Sequence, residues 1–517
     1  MARSIRLRRL LVWTAAAAAG VVIALAIASY LILHPANLRA RAERELAQRV
    51  KLDVTIGNLE FVLFPRPRLS GDDVTLRIPE RPDLPPFIQI GHFSADVGLL
   101  SALRKQVDTV HLDALRVAVP PGEARDDLPR PSADSGSSAS EIIVKHLIAH
   151  EAEVQFVPSN PDKRPLTFVI HELLIDDLGF DRAWPFRARL TNPKPTGIVE
   201  TEGRIGPWIA GDVTATPLQG TYALIDANLA TINGIGGTLQ SNGQYAGRLT
   251  AIDVTGTTTT PDFSLDLGGR PVPLETKFHA RVDGTDGSTR LVRVDARLRS
   301  TSIVASGLID NLEGPGNRAV GIDSEIVDGR IEDILALAID SEEPMLEGDF
   351  TAVSSLELPP GDDPVRRRID ITGRFGLTQA RFSDADVQKK LAELSHRSRG
   401  KSRDERPARV LTSLRGTFAL RSGIVQLRNI NFRVPGAAVA LGGRYVLGSE
   451  ALDFRGTLRM DATVSKAMGG FKSIFLKPFD FIFRKDGAGA VIPIRISGTR
   501  KHPKMGMEVR RVFGGND

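Results

Sequence analysis

Residues 291–299, LVRVDARLR, alternate between apolar and charged side chains. Along an extended chain, Val292, Val294, Ala296 and Leu298 fall on one side, and arginine and aspartate fall on the other. This period of two predicts a β-strand with one dry face and one wet face. Strands of this kind form antiparallel sheets in which one face is covered and the other is exposed to water.

The same alternation extends outward in both directions. It continues through most of 220–308, where we assign Ala223 and Ile225 to one face and Tyr222 and Leu224 to the other. It returns at 452–464, where Phe454, Leu458 and Met460 alternate with charged residues and threonine. Upstream, short apolar runs bounded by Pro, Gly or Asp begin near residue 51. We therefore expect a mainly β protein with about 25 to 30 strands, forming an elongated, curved antiparallel sheet of at most roughly 120–140 Å.

Glycines recur through these strand-and-turn units. The spacing is irregular, so the self-similarity is loose. The recurring glycines are Gly203, Gly220, Gly243, Gly256, Gly307, Gly373, Gly416, Gly443, Gly456 and Gly498.

The N-terminus carries an uncharged segment, LLVWTAAAAAGVVIALAIASYLIL, over residues 10–33. About 20 apolar residues suffice to cross a bilayer. Four arginines and no acidic residue precede the segment, which predicts a cytoplasmic N-terminus and a body on the other side of the membrane. A cleaved signal peptide has a shorter apolar run and small residues at its cleavage site, and a buried core helix does not need the basic flank. We therefore predict an uncleaved single-pass transmembrane helix.

A few amphipathic helices accompany the strands. The pattern predicts helices at 34–50, at 329–339 and at 385–396. A very apolar stretch at 465–484 is interpreted either as a helix capping the sheet or as a helix that contacts a membrane, because lysine and arginine flank its aromatic residues. The membrane-contact candidates are Phe471, Ile474, Phe475, Phe479 and Phe481.

Composition excludes several classes of function. The 67 basic and 62 acidic residues are interleaved, so no nucleic-acid surface is expected. Cysteine is absent, which excludes disulfides and thiolate chemistry. His146 and His150 have the spacing of a zinc pair on a helix, but their surroundings predict a strand, along which four residues span about 13 Å. No phosphate loop or nucleophile elbow is present, so we predict no enzyme activity, no catalytic residue, no cofactor and no metal.

These observations divide the chain into eight parts. They are a basic N-terminus (1–9), the transmembrane helix (10–33), a juxtamembrane helix (34–50), an N-terminal β module (51–120), a polar linker (121–140), a central β-groove region (141–328), a β region with helices and a basic loop (329–409), and a C-terminal β module with the apolar helix (410–517).

Three stretches resemble the AsmA-like proteins of Gram-negative envelopes. They are the span followed by VTIGNLEFVLFPRPRLSGDDVTLRIP, the central block that begins LQSNGQYAGRLTAIDVTG, and the C-terminal block that begins VPGAAVALGGRYVLGSEALDFRGTLRM. The resemblance rests on glycine, proline and alternation, and it covers most of the chain. It implies an inner-membrane anchor, a periplasmic β-groove and phospholipid acyl chains sliding along an apolar lining.

We therefore expect a non-enzymatic protein of the cell inner membrane that transfers phospholipid between the inner and outer membranes and supports outer-membrane homeostasis. The lipid-groove candidates are Val292, Val294, Leu298, Phe454, Leu458 and Met460. The expected partners are the inner membrane, phospholipid and an outer-membrane or envelope protein. The alternative is a scaffold that helps outer-membrane proteins assemble by pairing with their strands.

Overall fold

The computed structural model describes most of the chain from residue 38 onward. The described residues are 38–50, 52–62, 64, 66–98, 101, 106–120, 143–157, 165–179, 182–207, 209, 215–284, 287–311, 318–361, 363–383, 412–460, 491–499 and 502–507. The predicted transmembrane helix, the helix at 385–396 and the apolar stretch with its membrane-contact candidates lie outside these residues.

Within these described residues, three α-helices and one 3₁₀ turn (Leu229–Thr231) accompany 26 strands. The helices are α1 (Leu38–Val50), α2 (Ile331–Ala336) and α3 (Val365–Arg368). The first strands are β1 (Asp53–Thr55), β2 (Asn58–Val62), β3 (Arg68–Arg77), β4 (Ile88–Asp96), β5 (Gln106–Asp113), β6 (Arg116–Val119), β7 (Ile143–Phe156), β8 (Leu166–Leu178) and β9 (Trp184–Pro193). The central strands are β10 (Thr196–Ile205), β11 (Pro217–Asn228), β12 (Ile235–Gly236), β13 (Thr238–Arg248), β14 (Ala251–Leu265), β15 (Val272–Val282), β16 (Thr289–Leu298), β17 (Thr301–Asn311), β18 (Arg318–Arg330) and β19 (Leu346–Leu358). The last strands are β20 (Asp370–Phe382), β21 (Thr412–Arg421), β22 (Ile424–Val434), β23 (Ala437–Val446), β24 (Ala451–Met460), β25 (Val491–Thr499) and β26 (Pro503–Met507).

Twenty-five of these strands form one elongated sheet, which confirms the mainly β prediction. From β7 onward, each strand pairs antiparallel with the next in sequence, except that β12 pairs only with β14. At the N-terminal end, β1 and β2 both pair with β3, and β5 and β6 both run parallel to β7. The sheet is therefore a long meander that is broken once by a crossover.

The largest core lies at the N-terminal end of the sheet. The buried side chains of α1, Ala42 and Leu46, pack in the same cluster as residues of β3 to β9. The amphipathic helix predicted at 34–50 is therefore present over the described residues 38–50. The cluster joins Val110 of β5 to Val144 and Ala149 of β7, so packing continues across the polar linker.

A polar contact also ties the two sides of the linker together. Lys145 Nζ lies 2.9 Å from Asp108 Oδ1, and Ser101 Oγ donates to the same carboxylate oxygen at 2.6 Å. The backbone N–H of Gly98 donates to the other oxygen at 2.8 Å. Burial opposes ionisation, but these hydrogen bonds dominate and lower the pKa of Asp108.

The amphipathic helix predicted at 329–339 is confirmed in a shorter form. Ala336 of α2 packs with Val272 and Leu298, and Ile334 packs beside both this cluster and the neighbouring cluster around Phe350. The Asp333 carboxylate is 3 % exposed and accepts hydrogen bonds from the Ser300 backbone N–H at 3.1 Å, the Ser300 hydroxyl at 2.6 Å and the Thr301 hydroxyl at 2.9 Å. This carboxylate fixes α2 against the turn between β16 and β17.

Candidate functional site

One row of uncharged residues, defined by the pairing register, crosses 23 strands of the sheet. Residues directly opposite each other on neighbouring strands share a face, so the pairing register can be followed from strand to strand. The row from β2 to β26 is Leu59, Gly71, Phe93, Leu112, Ala149, Leu173, Ala188, Thr201, Tyr222, Gly243, Gly256, Phe278, Val294, Ala305, Ser324, Ser354, Gly373, Phe418, Leu427, Gly443, Phe454, Ile496 and Met505. We call this set the apolar row. At about 4.8 Å per strand it extends roughly 105 Å along the sheet.

The apolar row is buried in the large core at its N-terminal end, and Phe454 near its other end is also buried, with 9 % of its surface exposed. Phe93, Leu112 and Ala149 belong to the large core. Further along, Phe278, Val294, Phe418 and Leu427 are each half-buried. A closed sandwich would bury such side chains from both sides. The middle of this face therefore retains apolar surface that no second layer fully covers.

Glycine and aromatic residues are paired along the row. A Cβ atom added to Gly373 would lie 2.7 Å from the Phe418 ring, and one added to Gly243 would lie 2.9 Å from the Tyr222 ring. Each ring therefore lies in close contact with the glycine of the adjacent strand and covers its bare backbone. The five pairs within the row are Gly71–Phe93, Gly243–Tyr222, Gly256–Phe278, Gly373–Phe418 and Gly443–Phe454.

Two of these pairs are reciprocal. The segments GTY (220–222) and GQY (243–245) lie on β11 and β13, so that Gly220 opposes Tyr245 and Tyr222 opposes Gly243. The segments GRF (373–375) and GTF (416–418) on β20 and β21 do the same. The Phe375 and Phe418 ring centroids lie 6.3 Å apart. In both cases the rings lie close to the position that a Cβ atom on the opposing glycine would take.

Hydroxyl groups on this face bond to one another. The Ser324 and Ser354 hydroxyls lie 2.7 Å apart, as do those of Thr258 and Thr276. The Tyr222 hydroxyl contacts Ser241 at 3.1 Å. Burial raises the pKa of Tyr222 despite this hydrogen bond. Because these polar atoms are satisfied within the sheet, the face can contact hydrocarbon without the large cost of an unpaired group.

The opposite face is charged and solvated. Arg293 donates to Asp295 at 2.6 Å, and Arg281 donates to Asp253 at 3.1 Å. The hydrogen bond from Arg293 lowers the pKa of Asp295, and the bond from Arg281 lowers that of Asp253. We call this surface the polar face.

The groove candidates fall at different places relative to the apolar row. Val294 and Phe454 are members of it. Leu458 lies on the same face, opposite Val439 and Ile492, and Met460 pairs with Ala437. Leu298 also lies on this face, but it is only 2 % exposed. Because α2 packs against Leu298, this residue lies at a covered edge of the apolar face and is not open to a ligand.

Val292, a predicted groove residue, does not lie in the apolar row. Pairing passes from Phe278–Val294 to Ala280–Leu291, so Val292 and Arg293 together oppose His279 in a β-bulge. One extra residue reverses the alternation, and Leu291 takes the place on the apolar side that strict alternation predicts for Val292. Val292 is 44 % exposed.

A second bulge interrupts the alternation near residue 225. Tyr222 and Leu224 lie on the apolar face, opposite Gly243 and Ser241, and Ala223 lies on the other face, so the predicted alternation holds up to the bulge. Asp226, with a φ of 51°, lies in a bulge after which Ala227 joins the apolar face. Strict alternation, which groups Ala227 with Ala223 and Ile225, is therefore wrong beyond the bulge.

The glycine–aromatic pairs are the feature that sequence reasoning missed. The recurrence of glycine in the sequence predicts only strand-and-turn units, whereas Gly373 and Gly443 lie within strands on the apolar face. The pattern glycine-x-aromatic was available in the sequence at 220–222, 243–245, 373–375 and 416–418. Because alternate residues share a face, this spacing places an aromatic ring and a glycine, which has no side chain, on the same side of a strand.

The histidine pair lies on a strand. His146 and His150 both belong to β7, and His146 Nδ1 contacts Asp176 Oδ1 at 2.8 Å. Within the described residues, no three His, Asp or Glu side chains form a group that could hold a metal ion.

Comparisons with protein-family models, with curated proteins and with solved structures find no match to this chain. In the part of the chain that the structure describes, no helix has the length and apolar character needed to cross a bilayer.

Proposed function

We propose that this protein is a non-enzymatic lipid conduit, in which the apolar row forms the floor of a curved β-groove that shields phospholipid acyl chains. The N-terminal segment anchors it in the inner membrane and places the sheet in the periplasm. Phospholipid moves along the groove between the inner and outer membranes. The observation that supports this proposal best is the uncharged, half-buried row that continues through consecutive strands.

The energetics favour a continuous lining. Each CH₂ group exposed to water costs about 0.8 kcal/mol, so ten of them cost about 8 kcal/mol. A charged residue in the lining would interrupt the path, and the row contains none. Headgroups remain in water while the acyl chains follow the row. No group in this scheme needs to react.

The functional test compares two matched substitutions. Val294 lies in the apolar row, whereas Val304 lies on the adjacent strand opposite Asp295, on the polar face. We expect Val294→Asp to abolish transfer of phospholipid between donor and acceptor vesicles by the full-length protein. Val304→Asp should retain it. Normal transfer by a folded Val294→Asp variant would refute the conduit.

The rival function is a scaffold that pairs with strands of outer-membrane proteins. Among the described strands, β26 pairs with β25 alone, so one edge is available for an added strand. A scaffold of this kind predicts protein adducts from photo-crosslinkers along β26 and no lipid adducts from the apolar row.

A further inference from the structure

The polar face has a strongly uneven charge along the sheet. Strands β20 to β26 carry ten arginines and one lysine against two aspartates, whereas β17 to β19 carry seven acidic and two basic residues. The excess of positive charge is therefore confined to β20–β26, and the net charge of +5 for the whole chain does not reveal it. We call the following arginines the basic patch: Arg374, Arg415, Arg428, Arg433, Arg444, Arg455, Arg459 and Arg495.

The register places like charges beside each other in this patch. Arg455 lies directly opposite Arg495, a pairing that is unfavourable on a sheet unless other charges compensate. Asp453 accepts a hydrogen bond from Arg495 at 3.2 Å and is the only acidic residue of β21 to β26. The positive charge of the patch thus exceeds what its own strands neutralise.

A cleft lies at the centre of the patch. Gly442 pairs with Arg455, and the nearest atom to a Cβ placed on it is the Leu427 carbonyl oxygen at 3.6 Å, so there is room for a ligand beside it. The cleft has a volume of about 730 Å³, and its lining includes three arginines and one carboxylate, namely Arg428, Arg444, Arg455 and Asp453. Guanidinium groups bind phosphate oxygens in a bidentate manner, so this cleft suits a phosphate group.

We propose that the basic patch is a docking surface for an anionic phospholipid bilayer. Six neighbouring strands carry the arginines, over roughly 24 Å, which matches an array of headgroups better than one small anion. Protein interfaces have an apolar, aromatic-rich centre. On the described residues of β20 to β26, Val491 is the one large apolar side chain that is strongly exposed. The proposal concerns the face opposite the apolar row and stands independently of the proposed lipid transfer.

The test uses the full-length protein held in nanodiscs of phosphatidylcholine. Co-flotation is measured with vesicles of phosphatidylcholine alone and with vesicles that contain about 30 % phosphatidylglycerol. We expect binding only to the anionic vesicles, with a steep loss as salt increases, because salt screens exposed charges.

Two triple variants locate the binding. Arg428→Gln, Arg444→Gln and Arg455→Gln remove charge from the patch. Arg187→Gln, Arg189→Gln and Arg293→Gln make the same change in net charge on the central polar face, where these arginines lie near Glu202, Glu200 and Asp295. We expect the first variant to weaken vesicle binding about tenfold or more and the second to change it less than about twofold. Phospholipid bound to the apolar row should be the same in both.

Four results would overturn the proposal. They are equal binding to neutral vesicles, equal loss in the two variants, complete competition by millimolar inorganic phosphate, and binding to heparin without binding to anionic vesicles. Competition by phosphate would indicate a small-anion site, and heparin binding alone would indicate a soluble polyanion.

Discussion

Val294 and Phe454 lie in the same cross-strand row although 160 residues of sequence separate them. Eight strand-to-strand steps connect them, each given by a direct register pair. At about 4.8 Å per step, they are roughly 38 Å apart along the sheet. An uncharged surface over such a distance, with its serine hydroxyls bonded to each other, is what acyl-chain transfer requires.

The glycine–aromatic pairs should be required for the shape of the face. In Gly373→Val the new side chain overlaps both the Phe418 ring and the Val353 carbonyl oxygen, so we expect the free energy of unfolding to fall by about 1 to 3 kcal/mol in urea titrations. Gly321→Val is the control, because no atom lies within 4 Å of a Cβ placed at Gly321. The penalty at Gly373 should shrink when Phe418 is replaced by Leu. Equal penalties in the presence and absence of the ring would show that the pair is not a packing unit.

The bulge at Val292 separates two valines that alternation alone would place together. We expect Val292→Asp to retain phospholipid transfer, because this residue opposes His279 and is exposed. Val294→Asp should lose it. If the two substitutions reduce transfer equally, the face of this strand has been assigned incorrectly.

Asp333 should stabilise the docking of α2. Asp333→Ala removes three hydrogen bonds to a buried carboxylate, so we expect a loss of about 2 to 3 kcal/mol in unfolding free energy. Hydrogen exchange should also accelerate within 331–336. Asp328→Ala, at an exposed position of β18, serves as the control and should leave both measurements unchanged.

Acid should weaken the contact between β5 and β7. The pKa of Asp108 is lower in the folded protein than in the unfolded chain, so its contribution to stability is present above the unfolded value of about 4 and is lost as the pH falls through the folded value. We expect Asp108→Asn to cost about 1 to 2 kcal/mol at pH 7, a modest figure because the side chain is 35 % exposed.

The difference between wild type and Asp108→Asn should then shrink below about pH 4. Fluorescence of the buried Trp184, followed in urea at several pH values, reports on this part of the sheet. A difference that is independent of pH would show that the ionised carboxylate is not what stabilises the contact.

The sequence predicts the main character of this fold because alternation reports directly on a half-covered antiparallel sheet. The helices at 38–50 and 331–336 were also predictable, since their apolar residues recur at helical spacing. The faces on either side of a bulge were not predictable. A single inserted residue at Val292 or Ile225 exchanges the apolar and polar faces for the residues beyond it. Whether such a bulge forms is determined by the pairing partners on the neighbouring strands.

The placement of the groove candidates in one continuous row also depends on the pairing register. Val294 and Phe454 could be proposed from local alternation, but their membership of one row required every intervening pair to be known. The burial of Leu298 beneath α2 depends on the turn between β16 and β17 and on the buried carboxylate of Asp333, and no local sequence pattern predicts either. The basic patch is visible in the sequence only after the strands are assigned to faces.

Phe278 and Lys277 offer the most direct test of the proposed acyl-chain path. They are neighbours on β15, far from the basic patch, and Phe278 lies in the apolar row while Lys277 is exposed on the polar face. A photo-crosslinking aromatic residue at 278 should yield phospholipid adducts when the full-length protein is irradiated in its native membranes, and the same residue at 277 should yield none. Lipid adducts from both positions, or from neither, would contradict an apolar row that carries acyl chains.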